Sequence, residues 1–327
     1  MNNKIAWIQG LRGLLCLWVV LFHYTSRYEQ LFDVRPYFSF ENGGSVGVAC
    51  FFIFSGYFCL KTLDKYFQNK NVWLLNKYLR LWPAYFVSVF ISFIIVKSIG
   101  LSGRDQFTFL DLIKDIPMLP YLSGNIENAC WYVMSLMKYY LLIFIIGRYN
   151  VLEKDFFYIF IILGFSITVI LPDHILSKLI RTALGYLPLY MGMLLYSIER
   201  KCSWLRFGLY IIYTIYLSST IHWLYMSVFC IVIPLLLKDK HTLFLKDILS
   251  TRILLYLGTI SYPWYLIHQN VGYVVMNVIN KNFYSIHYFS PLIAVLVTMV
   301  LAIIINNIAN RLSNKLHELF TKRQILH

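Results

Sequence analysis

Residues 11 to 24 read LRGLLCLWVVLFHY, an apolar run with Arg12 near its start and His23 near its end. Eleven helical steps of about 100° come to roughly three turns, so the two ionisable side chains project from nearly the same face. At 1.5 Å per residue they lie about 16 Å apart along the axis. An ionisable group in such a run is costly unless it faces protein, water or a ligand, so each is a candidate for function. The pair also suits a plainer reading, with Arg12 snorkelling to anionic headgroups and His23 an interfacial histidine bonded to a carbonyl.

What surrounds this stretch decides its setting. Of 327 residues, 59% are apolar and only 13% charged, too little polar surface to coat a soluble globule of this size. Apolar stretches long enough to cross a hydrocarbon core of roughly 30 Å recur along nearly the whole length. They are expected near residues 7–26, 44–62, 80–99, 129–148, 156–172, 181–198, 204–219, 221–237, 253–278 and 289–309. The fold class expected is therefore an all-α integral membrane protein of about ten transmembrane helices, forming one membrane-embedded domain over residues 1–327. No small-residue cleavage site follows the first span and Arg12 lies inside it, so a retained helix is expected rather than a signal peptide.

The junction near Ser218–His222 is the weakest, because almost nothing polar separates its two segments and one long bent helix would also fit. Charge distribution arbitrates. With the N-terminus inside, basic residues crowd the inner loops, among them Lys61, Lys65, Lys70, Lys77 and Arg80, then Lys238, Lys240, Lys246 and Arg252. Fewer fall outside, among them Arg27, Arg35, Arg104 and Lys114. That asymmetry follows the positive-inside rule and favours ten spans with both termini cytoplasmic, whereas nine would put the 238–252 loop outside. It also accounts for the formal net charge of +14 through topology and anionic lipid, with no need of a nucleic-acid partner. The long connection 100–128 mixes apolar and acidic residues and is expected to dip into the interface as a short amphipathic piece.

The six cysteines are scattered, with no CxxC and no histidine at metal-ligand spacing, so buried free thiols and no metal are expected. In GGSVGVACFFIFSGYF, residues 43–58, the small residues let helices approach closely. NKYLRLWPAYF, residues 76–86, sets Lys77 and Arg80 three apart on one helix face, where they serve either positive-inside anchoring or phosphate binding. GTISYPWYLIHQN, residues 258–270, carries His268 sixteen residues beyond Arg252, at a depth similar to that of His23.

Taken in order, LRGLLCLWVVLFHY, GVACFFIFSGYF, KYLRLWPAYF, WYVMSLMKYYLL and LGTISYPWYLIHQ resemble the motif series of acyltransferase family 3, from about residue 7 to 310. Members transfer acetyl or other acyl groups to sugars of bacterial surface polysaccharides and related glycans, from the cytoplasmic (inner) membrane. The resemblance implies that Arg12 and His23 are the family's first-helix signature, with His23 catalytic. The basic pair opening the third helix matches Lys77 and Arg80, with a lysine where arginine is usual, so the planar fork is lost there. Leu136 and Met137 stand where many members have acids, which places the chain with a Trp-Tyr branch and assigns no glutamate in that helix a role. Many members append an extracytoplasmic hydrolase-like domain; none is expected here.

The resemblance implies an acyl-CoA donor, most often acetyl-CoA, with Arg12, Lys77 and Arg80 on its phosphates and a surface glycan or lipid-linked oligosaccharide as acceptor. His23 acts either as general base toward a sugar hydroxyl or as an acyl carrier. Ser55, Tyr262 and His268 are candidates for orienting it or stabilising the oxyanion, although a packed polar core explains each equally well. Trp131 and Tyr132 offer an aromatic platform for a sugar, or belong to an interfacial belt. From the residues alone, a glycolipid or metabolite transporter whose pathway is lined by Arg12 and His23 also stays open. So does a glycan polymerase drawing on a lipid-linked sugar donor.

Overall fold

A computed structural model describes residues 3–34, 38–66, 68–104, 106–120, 126–147, 151–238 and 243–325. Arg35 and Lys240 of the charge pattern, and residues 105 and 121–125 of the long connection, lie outside them. The chain opens with α1 (Asn3–Phe22), a five-residue π segment (His23–Arg27) and α2 (Tyr28–Phe32). There follow α3 (Gly43–Lys65), α4 (Lys70–Ile99), α5 (Phe109–Asp115), α6 (Trp131–Gly147) and α7 (Asp155–Ile170). Next come α8 (Ile175–Leu184), α9 (Leu187–Arg200), α10 (Trp204–Thr220) and α11 (Trp223–Lys238). The short α12 (Leu243–Leu249) precedes two long helices, α13 (Arg252–Asn282) and α14 (Ser290–Ile325).

No strand occurs among the described residues, and five helices are long and apolar enough to cross a membrane by length and composition. The chain is an all-α membrane protein. Each stretch expected from run length falls on a helix, with one difference. The 181–198 stretch is interrupted: Gly185, at φ 75°, ends α8, and Pro188 opens α9, a sequence pattern that stops one helix and starts the next. The uncertain junction resolves into two helices, α10 ending at Thr220 and α11 starting at Trp223. Part of the long connection is α5, closed by a capping box between Thr108 and Asp111, with Phe109, Leu110 and Ile113 exposed as an interfacial helix requires.

Contacts group the chain into two compact units. The first comprises residues 1–44, 76–137 and 246–327; the second, residues 45–75 and 138–245. In the second, Arg206 is held by Asp155 at 2.6 Å and donates to the carbonyls of Ser197 and Glu153. Arg200 bridges Asp64 at 2.7 Å and Glu153 at 3.2 Å.

The first unit is organised by α1 against α13, with α14 packed on α13. Close approach comes from glycine. A Cβ on Gly13 would meet the backbone nitrogen of Gly258 at 2.7 Å, and one on Gly258 would run into the Gln9 carbonyl. With the backbones this near, side chains of α1, the π segment and α2 reach α13 in a rising series: Gln9 to Thr259, Cys16 to the Ser261 carbonyl, Tyr24 to the His268 carbonyl, Tyr28 to Asn277. Residue numbers climb together on both helices, so they run parallel.

Replacing Gly258 by Ala places a methyl group where the Gln9 carbonyl stands and should cost about 1–3 kcal/mol, the usual range for overpacking. Gly208 in α10 has open space around it, so Gly208→Ala should be neutral or mildly stabilising. Thermal melting of the two detergent-solubilised variants checks the contrast; equal midpoints would refute the glycine contact.

Candidate active site

His23 is the first residue of the π segment, where the helix stops following the α register. Such segments cluster at functional sites because they re-aim side chains. Local bonds hold this one in place. Thr25 Oγ1 donates to the Leu21 carbonyl at 2.7 Å and accepts from the Phe40 backbone N–H at 3.0 Å. Tyr24 then turns inward, its hydroxyl 2.7 Å from the His268 carbonyl and 3.1 Å from Thr298 Oγ1.

The turn sets His23 against α13. Its Nδ1 lies 3.0 Å from the Tyr273 hydroxyl, and its ring meets His268 edge to face with centroids 4.9 Å apart. His268 is fully buried. Its Nδ1 is 2.7 Å from the Tyr265 carbonyl, which can only accept, so Nδ1 carries the hydrogen and Nε2 is the bare acceptor. That Nε2 is buried and has no hydrogen-bond partner. A half-buried imidazole thus meets a buried one, a base-bearing arrangement suited to receiving a proton from a hydroxyl.

Two contacts relate the cations expected to bind phosphate to α13. Tyr262 donates to the Leu81 carbonyl at 3.0 Å, tying α13 to α4 one residue beyond Arg80. Cys16, one turn after Arg12, reaches the Ser261 carbonyl, so α1 just past Arg12 and α4 just past Arg80 meet α13 at neighbouring residues. Arg12 is half-buried, Lys77 is buried and Arg80 is exposed, although Lys77 and Arg80 share a face by spacing. Tyr262 is thus six residues and roughly 9 Å along the helix from His268, with its hydroxyl committed to α4. Ser55 lies in α3 within the second unit.

Above the imidazole pair sits a polar network made by the long connection. Glu127 is buried and accepts from Ser92 Oγ at 2.7 Å and from the Asn270 backbone N–H at 3.3 Å. The Asn270 side chain donates to the Ile126 carbonyl at 2.6 Å and accepts from Arg104. Burial pushes the Glu127 carboxyl up to about 7, opposed by the Ser92 hydroxyl and the Arg104 charge.

The family model of the acyltransferase domain of acyltransferase family 3 matches residues 5–309. The chain belongs to acyltransferase family 3. No curated protein and no solved structure matches it. The match runs through both compact units, and family 3 membership makes the chain an acyltransferase. No cluster of three or more histidine, cysteine or acidic residues that could hold a metal ion occurs among the described residues.

Four residues of this site were not singled out by sequence. Tyr273 stands in the apolar run after His268, where its polar tip was one of 26 tyrosines. Glu127 borders a span, where polar residues are ordinary. Arg104 was counted only as a loop charge. For Asn270 and Tyr273 a signal existed: they follow His268 by two and five positions on an otherwise apolar helix.

A carboxyl whose folded pKa lies above its ordinary value makes the folded state bind the proton more tightly. Stability should fall as pH rises from about 4.5 toward 7, by on the order of 3 kcal/mol from this group. Glu127→Gln keeps the shape and both contacts, since the Ser92 hydroxyl can accept from the amide. Between pH 5 and 8 the melting midpoint of wild type should fall relative to that of the variant; parallel profiles would show that Glu127 does not titrate there.

Proposed function

We propose that the protein transfers an acyl group, acetyl in the first instance, from cytoplasmic acyl-CoA to a hydroxyl of a surface polysaccharide or lipid-linked glycan precursor. The cell is bacterial and the membrane its cytoplasmic one. What carries this reading is the pairing of His23 with His268 and Tyr273 in a member of acyltransferase family 3. In this reading ten spans cross the membrane and both termini are cytoplasmic. Parallel packing of α1 and α13 supports an odd number of crossings between them, as ten spans require and nine do not.

Arg12, Lys77 and Arg80 neutralise the coenzyme A phosphates at the cytoplasmic end. An extended pantetheine arm, on the order of 15 to 20 Å, matches the roughly 16 Å rise from Arg12 to His23. At His23, Nδ1–H donates to the Tyr273 oxygen and Nε2 faces the reacting groups. The sugar hydroxyl gives its proton to Nε2 as its oxygen bonds to the thioester carbonyl carbon. The C–S bond breaks, and the imidazolium returns the proton to the departing thiolate.

Replacing His23 with Ala should abolish acylation, a loss of about 10² to 10⁴ in rate, while the protein still inserts. Mass spectrometry of surface glycan from a deletion strain, complemented with wild type or variant, reads this directly. Unchanged acyl content in the deletion strain would sink the reading.

A further inference from the structure

Arg104 enters the structure from the long connection and docks on Asn270, three residues before Tyr273 on α13. Asn270 and Tyr273 therefore share a helix face about 4.5 Å apart in rise, and Tyr273 is the residue bonded to His23. The guanidinium lies within electrostatic reach of both His23 and Tyr273, as does Arg27, four residues after His23. Arg27 is exposed and bonds Gln30 at 2.9 Å, its one hydrogen-bond partner among the described residues.

Two cations beside an imidazole that must stay neutral are an odd expense if they serve packing alone. Arg104 is half-exposed, spends one nitrogen on Asn270, and makes no ion pair among the described residues. Glu127, the nearby carboxyl, makes no salt bridge with it among the described residues. Glu127 is buried, its two oxygens engaged by Ser92 and the Asn270 N–H, and burial favours its neutral form. The rest of the planar fork is free to meet an oxyanion.

On the reading given under Proposed function, we propose that Arg104, flanked by Arg27, forms an anion subsite for the acceptor, so that the acylated glycan carries a carboxylate or phosphate near its reacting hydroxyl. The donor's phosphates are no competitor. They belong with Arg12, Lys77 and Arg80, and α4 runs nineteen residues, roughly 29 Å, from Arg80 to Ile99 before the chain reaches Arg104.

The test uses the full-length protein in phosphatidylcholine nanodiscs, with glucose, glucuronate and glucose 1-phosphate as probes. Binding is read by saturation-transfer NMR. One charged probe at least should bind about tenfold or more tightly than glucose, its identity separating carboxylate from phosphate. Arg104→Gln should remove that advantage and leave glucose unchanged. Arg104→Lys should keep part of it, since the charge stays and the fork is lost. Equal binding of charged and neutral probes, or an advantage that survives Arg104→Gln, would overturn the proposal. So would an effect of Arg104→Gln confined to phosphatidylglycerol retention in mixed-lipid discs, which would mark a headgroup contact. His23→Ala, run alongside, should bind the charged probe normally and transfer nothing. If His23→Ala still transfers, the catalytic reading fails and the anion subsite stands; if only the charge advantage is missing, the reverse holds.

Discussion

Backbone contact between α1 and α13 is the constraint on which the rest of the first unit depends. Helices in lipid gain little by burying apolar surface against each other, so association rests on close packing and interhelical hydrogen bonds. Gly13 and Gly258 remove the side chains that would hold the two backbones apart. Once they touch, short side chains suffice to cross the gap, and the Cys16 thiol and Tyr24 hydroxyl reach carbonyls of the facing helix. The register this fixes leaves His23 one place to go, against His268 and Tyr273.

The π segment follows from the same constraint. Had α1 continued in the α register, Tyr24 and His23 would both be carried around the axis by 100° per step with no freedom between them. The wider turn lets Tyr24 seat its hydroxyl on the His268 carbonyl and Thr298 while His23 meets the ring of His268. Thr298 in turn receives the Trp264 indole N–H at 3.1 Å, so α14 braces the helix that carries His268. The imidazole pair is thereby set by three elements distant in sequence.

This explains which parts were legible from the chain alone. Arg12 and His23 were expected on one face by the arithmetic of 3.6 residues per turn, which holds while α1 stays α-helical, through Phe22. Helix positions were readable from run length, and the similar depth of His23 and His268 from counting. The expectation missed what tertiary packing decides. Spacing put Lys77 and Arg80 on one face, yet packing around α4 buries the first and exposes the second. Spacing also could not show that Tyr262 spends its hydroxyl on Leu81, or that residues 104, 127 and 270 meet. The break at Gly185 was visible as a Gly followed by Pro188, but an apolar count passes over both.

Buried polar atoms without a partner among the described residues occur in both units, but the one on His268 lies against the His23 ring, whereas the charged groups of the second unit serve as scaffold. In the second unit Arg206 gives its nitrogens to Asp155 and to the carbonyls of Ser197, Lys201 and Glu153, while Arg200 and Tyr196 converge on Asp64. Such groups are satisfied by their neighbours, and a satisfied network specifies structure. In the first unit the Nε2 of His268 is buried with no donor at all. Leaving a buried acceptor unpaired costs about 1–3 kcal/mol, and an apolar side chain of similar shape in that place would remove the cost. Stability therefore gives no reason for an imidazole there. A reason exists once a hydroxyl proton is to pass close by, because an unpaired acceptor beside His23 is already desolvated and needs no partner displaced before it responds to the charge forming on its neighbour.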